Sequence, residues 1–336
     1  SRASLPNIET VRFGVLCLLW YASSALTNNI GKQIMNAYRY PVTLTYVQFG
    51  FVAAFCAASA RVLRMGRLRR PTRDVVRTTF PLAMFQIIGH VFSSVAISKV
   101  PVSVVHTIKA LSPLFTVLIY RFAFQIPYPT KVYTSLIPLT LGVMLACTSS
   151  KLIFHVLGFF CALMSTLVFV VQNIAAKKIF AAGTATPRPD GLGTGRSSAG
   201  TGGPPAKLDK LNLLFYSSGL AFVLMTPLWC WSDGLSLLLY ADPTRIPTAR
   251  VTLLFLLNGI THFAQNVLAF WILSLVSPVT YSIASLLKRI FVIVAAMVWF
   301  GDAVSGRQAV GVGMAFLGLW LYDRAKGDVA SGEARM

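Results

Sequence analysis

The chain of 336 residues is 55% hydrophobic and only 12% charged, with a formal net charge of +20 and a mean hydropathy of +0.68. A soluble domain carries about 25% charged residues, so a water-soluble globular fold is excluded. Most Lys and Arg fall in short segments between apolar runs, a placement that marks the cytosolic face of a membrane protein and argues against nucleic acid as a partner.

The apolar runs approach the roughly 20 residues that a bilayer-crossing helix needs. They predict an all-α membrane protein with ten transmembrane helices, at 12–36, 42–63, 76–98, 102–122, 130–148, 153–178, 208–231, 250–275, 278–300 and 306–325. Pro101 and Pro278 open the fourth and ninth spans, where a missing N–H costs nothing. The loop after the second span carries Arg61, Arg64, Arg67, Arg69, Arg70, Arg73 and Arg77. The loop after the sixth carries Lys177, Lys178, Arg188, Arg196, Lys207 and Lys210, and Arg324 and Lys326 follow the tenth. With an even number of spans, this pattern puts both termini in the cytosol.

Residues 181–207 are rich in Gly, Pro, Ser and Thr and read as a flexible linker. It separates an N-terminal part, 1–180, with six spans from a C-terminal part, 208–336, with four. The five cysteines (Cys17, Cys56, Cys147, Cys161, Cys230) form no CxxC pair, so neither a metal site nor a disulfide framework is implied; no cofactor is expected. A chain opening on Ser1 reads as trimmed, so the lack of a legible signal peptide carries no weight.

Residues 100–120 (VPVSVVHTIKALSPLFTVLIY) and 277–297 (SPVTYSIASLLKRIFVIVAAM) both open at a proline and carry a cation near mid-span. Making them equivalent turns the ten spans into a five-plus-five inverted repeat, an architecture that holds its substrate near the bilayer midplane.

Lys109, Lys288 and Arg289 are the charges that stand out. Each costs ~2.5–3.5 kcal/mol at a helix centre. All ten acidic residues (Glu9, Asp74, Asp190, Asp209, Asp233, Asp242, Asp302, Asp323, Asp328, Glu333) lie in tails, loops or span ends. The missing counter-anion is then the substrate, and a phosphate suits the planar fork of Arg and the point charge of Lys. Bonds to backbone carbonyls are the alternative use of such cations. Without a buried carboxylate to carry a proton, exchange of one anion for another is the expected mechanism; a proton on His90 is the alternative.

Other polar residues join this set. His90 stands one hairpin before Lys109, so the two can face one cavity. Tyr281 and Ser285 share the helical face of Lys288, and His262, Gln265 and Asn266 cluster in the eighth span; ligation of the anion and plain interhelical packing are both open to them. Lys32, His106 and His155 read as structural, and GVGMAFLG (311–318) reads as close helix packing.

The stretches KVPVSVVHTIKALSPLFTVLI (99–119), SPVTYSIASLLKRIFVIV (277–294), QNIAAKKIF (172–180) and WYASSALTNNIGKQI (20–34) resemble the triose-phosphate/phosphate translocator family of the drug/metabolite transporter superfamily. The resemblance implies strict exchange of phosphorylated three- to six-carbon metabolites for phosphate. It assigns phosphate binding to Lys109, Lys288 and Arg289, and places His90, Ser93 and Phe169 in the same cavity. Gln265 stands where plastid members have a substrate-contacting Tyr, and Gln172 where they have an Arg. The chain is more similar to fungal members of the endoplasmic reticulum or Golgi.

The sequence thus predicts an alternating-access antiporter, not an enzyme, whose partners are a phosphorylated small molecule, inorganic phosphate and the lipid bilayer. Phosphoenolpyruvate is the preferred cargo because its carboxylate suits three cations, with triose phosphate next. A nucleotide-sugar antiporter and a non-transporting trafficking factor are the alternatives.

Overall fold

The computed structural model describes residues 8–62, 68, 71–125, 128–147, 155–184, 210–235, 237, 247–275, 278–301 and 305–333. Among them all regular structure is helical, with no strand. In chain order the helices are α1 (Ile8–Ala37), α2 (Pro41–Val62), α3 (Arg73–Lys99), α4 (Val102–Lys109), α5 (Ser112–Ala123), α6 (Thr130–Cys147), α7 (Val156–Thr184), α8 (Lys210–Trp229), α9 (Ala249–Leu275), α10 (Pro278–Phe300) and α11 (Gly306–Glu333). Each overlies one of the expected apolar segments, except that the single span expected at 102–122 is divided into α4 and α5. The expected linker begins inside α7, and residues 185–209 lie outside the described residues.

Among the described residues six segments have by themselves the length and apolar character of a membrane crossing: Pro41–Arg61, Arg73–Lys99, Val102–Ala123, Val156–Ala175, Leu211–Gly234 and Ala249–Ala269. Large apolar side chains also face outward on other helices, among them Leu18 on α1, Ile137 and Met144 on α6, Val298 on α10 and Trp320 on α11. A surface this apolar has lipid, not water, as its solvent, and the protein is an integral membrane protein. Inside the helices, hydroxyls such as those of Thr27, Thr107, Thr140 and Thr166 donate to the carbonyl four residues back, which satisfies them where no water reaches.

The principal helix pairs are α6 with α11, α3 with α7, α1 with α9 and α2 with α8. The α6–α11 contact is a backbone approach. A Cβ on Gly142 would lie 2.3 Å from the Ala315 nitrogen, and one on Gly318 would lie 2.3 Å from the Leu139 nitrogen. Of the glycines expected to pack, Gly318 does so, whereas Gly313 has open space around it.

The division between α4 and α5 has a chemical cause. In an unbroken helix the Lys109 carbonyl would accept from the N–H of residue 113, and Pro113 has none. The chain tightens instead, with the Leu111 N–H donating to the Ile108 carbonyl at 3.0 Å. The Lys109 carbonyl is left without a helical partner, in the interior of the bundle.

Candidate functional site

The carbonyl freed by Pro113 is the anchor of the site. It accepts a hydrogen bond from Arg289 Nη1 of α10 at 3.0 Å. Ser112, the first residue of α5, donates its hydroxyl to the same carbonyl, while its Oγ accepts from Arg289 Nη2 at 3.2 Å. The guanidinium is thereby held at the α4–α5 break by two of its N–H groups, with further N–H groups left over for a ligand.

Lys109 ends α4 and turns towards α3, where its Nζ donates to the buried Ser93 hydroxyl at 2.7 Å. The same ammonium lies 5.6 Å from the centre of the Phe169 ring of α7, within cation–π reach. Phe169 in turn meets His90 edge to face at 5.2 Å, and His90 touches His262 of α9 at 5.5 Å and Phe49 of α2 at 5.4 Å. Gly89 makes this possible: a Cβ there would lie 2.9 Å from the Phe169 ring. The Ser165 hydroxyl ties α7 to the Gly89 carbonyl at 3.0 Å.

Lys288, beside Arg289 on α10, places its Nζ 4.4 Å from the centre of the Trp20 ring of α1. Lys109, Lys288 and Arg289 are close enough for their charges to act on one another. Among the described residues no carboxylate pairs with any of the three; their recorded partners are hydroxyls, rings and a carbonyl. The buried acid Asp233 is engaged elsewhere. It sits in the π-turn Cys230–Gly234 that follows α8, where its Oδ2 accepts from the Thr43 N–H and hydroxyl at 2.8 Å each. Thr43 lies in the first turn of α2, whose positive dipole end favours a carboxylate, and Trp229 Nε1 donates to the Thr43 hydroxyl at 3.0 Å.

One helical turn from the His90–Phe169–His262 contacts stand three amides. Gln265 Nε2 meets His262 Nδ1 at 3.4 Å, and the side-chain oxygens of Gln86, Gln172 and Gln265 are buried without a hydrogen-bond partner. They follow or precede the ring residues by three or four positions, so each shares a helical face with one of them.

The structure therefore brings Lys109, Ser93, Phe169, His90, Gln265 and Arg289 into one connected set, with Lys288 alongside. Ser285 is half-buried one turn before Lys288 and Arg289. Tyr281 lies in α10, with its side chain outside the described residues. Lys32, read as structural, donates to the carbonyls of Ile97 at 2.7 Å and Val100 at 3.3 Å, at the end of α3. His155 accepts from the Gly158 N–H at 3.4 Å, at the start of α7. His106 is buried, and its Nε2 has no hydrogen-bond partner.

Ser112, Trp20 and Phe49 escape the sequence reading. Pro113 was a signal for the first, since a proline four residues after a mid-span lysine releases that lysine's carbonyl. Nothing in the sequence announces Trp20 beneath Lys288. Among the described residues no cluster of His, Cys, Asp or Glu could hold a metal ion.

Residues 11–323 match the Triose-phosphate Transporter family. The fission-yeast (Schizosaccharomyces pombe) protein C83.11, which carries the name of a transporter, is 48% identical over 322 residues, 95% of this chain and 67% of that relative. The transporter SLY41 of Saccharomyces cerevisiae is 30% identical over 95% of this chain and 81% of its own length. Phosphoenolpyruvate/phosphate translocator 3 of Oryza sativa, a chloroplastic protein, is 31% identical over 95% of this chain and 75% of its own. A protein crystal structure superposes on 93% of this chain and 95% of its own with a TM-score of 0.51 at 15% identity, a likeness of fold alone.

Proposed function

The chain belongs to the Triose-phosphate Transporter family, a family of transporters rather than enzymes, and from that premise we propose that it is an alternating-access antiporter exchanging a phosphorylated metabolite for inorganic phosphate. The observation that carries the reading is the convergence of Lys109, Lys288 and Arg289, each on an uncharged partner. A phosphate entering between α4 and α10 supplies the counter-charge that no described carboxylate does. Relatives named as translocators of phosphoenolpyruvate and of glucose 6-phosphate against phosphate support the same chemistry.

In this reading Lys109, Lys288 and Arg289 clamp the phosphate. Ser93, His90 and Phe169 form the wall behind it, and Gln265, Tyr281 and Ser285 meet the rest of the molecule. Phosphoenolpyruvate is the preferred cargo and triose phosphate the next, because a carboxylate beside the phosphate matches the third positive charge.

The architecture we propose is ten transmembrane helices in a five-plus-five inverted repeat, with α4 and α5 counted as one broken span and 181–207 joining the parts 1–180 and 208–336. The packing supports it. Moving every helix by five spans turns the α1–α9 pair into the α3–α7 pair and returns α2–α8 and α6–α11 to themselves. Five spans is an odd number, so the second repeat enters the membrane from the opposite side. Both termini lie in the cytosol on this reading, as the basic loops suggest, and the membrane proposed is that of the endoplasmic reticulum or Golgi rather than the plastid.

Purified protein in liposomes preloaded with phosphate provides the test. Uptake of labelled phosphate or phosphoenolpyruvate that requires internal phosphate, and that Lys109→Met and Lys288→Met abolish, is the expected outcome. Uptake into phosphate-free liposomes at an equal rate would rule out exchange.

A further inference from the structure

We infer that the outer face of α3, over its first two turns, binds the headgroup of an anionic phospholipid. Arg73, Val76, Arg77 and Phe80 recur at the spacing of one helical face, and all four are exposed. With Pro71 and Thr72 they line a surface cleft of about 460 Å³. The packed face of the same turns is the opposite one, where Val75 and Thr79 are buried.

The exposed stripe continues along α3 without another charge. Phe80, Met84 and Ile88 are large, apolar and exposed, each about one turn beyond the last. At 1.5 Å per residue, the track from Val76 to Ile88 runs about 18 Å. That is enough to cross one leaflet of the ~30 Å hydrocarbon core. The outer face of α3 thus has the polarity and length of an upright phospholipid, with two guanidinium groups at the head.

Charge decides which phospholipid it fits. Residues 61–77 hold seven arginines and a single acid, Asp74. Asp74 stands about 100° around the helix from Arg73, off the stripe. Arg61 ends α2, which packs beside α3. An arginine fork pairs with two phosphate oxygens. A zwitterionic headgroup answers its phosphate with its own ammonium, whereas a net-negative one leaves a charge for the arginines. In the orientation proposed above these turns lie at the cytosolic face, whose leaflet carries the anionic lipids. The substrate site is separate. Ser93, which accepts from Lys109, is buried about 24 Å further along the helix than Arg77.

The test follows the melting temperature of the full chain in neutral detergent as dioleoyl phosphatidylserine or dioleoyl phosphatidylcholine is added. Phosphatidylserine should reach half its stabilising effect at about one-tenth of the mole fraction that phosphatidylcholine needs, a difference of about 1.4 kcal/mol. Arg73→Gln combined with Arg77→Gln should abolish this preference, and either single variant should weaken it if the pair is not recovered folded. Arg121→Gln combined with Lys131→Gln removes as much exposed charge from the α5–α6 connection and should leave the preference intact. Lys109→Met should leave it intact too, which separates a lipid headgroup from a phosphate group held in the substrate site. Equal effects of the two lipids on the unaltered chain overturn the inference. So does a preference that survives the Arg73 and Arg77 changes, or one that either control removes as fully.

Discussion

The main-chain carbonyl of Lys109 accepts a hydrogen bond from Arg289 at 3.0 Å, between residues 180 positions apart in the chain. That bond exists because Pro113 cannot supply the helical one. A helix defect between α4 and α5 thus becomes the seat of a cation from α10.

Pro113→Ala separates this seat from simple stability. The new N–H can close the helix onto the Lys109 carbonyl and join α4 to α5, a bond that Pro113 in the first turn of α5 cannot make. Thermal stability in detergent should hold or rise, while phosphate exchange falls by about tenfold, the effect of roughly 1.4 kcal/mol lost at the site. A parallel fall in both would assign Pro113 to folding alone.

Gly89→Ala should act on binding through the Phe169 ring, since the added methyl would lie 2.9 Å from it. The ring must swing away from Lys109 and His90, so the KM for phosphate should rise severalfold with little change in melting temperature. Adding Phe169→Leu to Gly89→Ala should restore part of the loss, because residues in contact are non-additive by about 0.5–3 kcal/mol. Strict additivity in the exchange assay would show that the two positions act apart.

At the α6–α11 contact, helix propensity and packing predict opposite signs. Alanine favours a helix over glycine by about 0.8–1.0 kcal/mol. Yet a Cβ at Gly142 or Gly318 would strike backbone nitrogen at 2.3 Å, and overpacking costs about 1–3 kcal/mol. Gly142→Ala and Gly318→Ala should therefore lower the melting temperature. Gly313→Ala, with nothing within 4 Å, should raise it slightly or leave it unchanged.

Lys32 closes the end of α3 from α1 by donating to the carbonyls of Ile97 and Val100. Lys32→Met keeps the aliphatic stem and removes the donors, so about 1.5–3 kcal/mol of stability should be lost. Lys32→Arg should recover part of it. Melting curves at constant lipid-to-detergent ratio check both; an unchanged curve for Lys32→Met would show that the contact contributes nothing.

What could be read before folding was charge. Lys109, Lys288 and Arg289 announce themselves because a cation in an apolar run is costly anywhere, and His90 and Gln265 because polar groups in such runs need partners. The helices were legible for the same reason: apolar length is a local property, and it located each of them to within a few residues, except at the C-terminal ends of α7 and α11, which continue to Thr184 and Glu333. Ser112 and Trp20 could not be found this way. A serine in a membrane helix usually bonds its own backbone, as Thr107 and Thr166 do, and a tryptophan usually fills space. Their parts depend on α10 lying against α4 and α1, a fact of tertiary packing that one sequence does not contain. The division of the fourth span was written in Pro113 but masked by the unbroken hydrophobicity around it, which satisfies the membrane whether or not the helix is continuous.

The neutral company kept by the three cations also bears on the compartment around the protein. A carrier that shields its own charge could drift back empty and let solute accumulate. One that depends on its passenger for neutrality must, on the proposed mechanism, admit a phosphorus atom for each one it releases. The carbon skeletons on the two sides of such a membrane can be reshuffled freely while the phosphorus inventory of each side stays fixed.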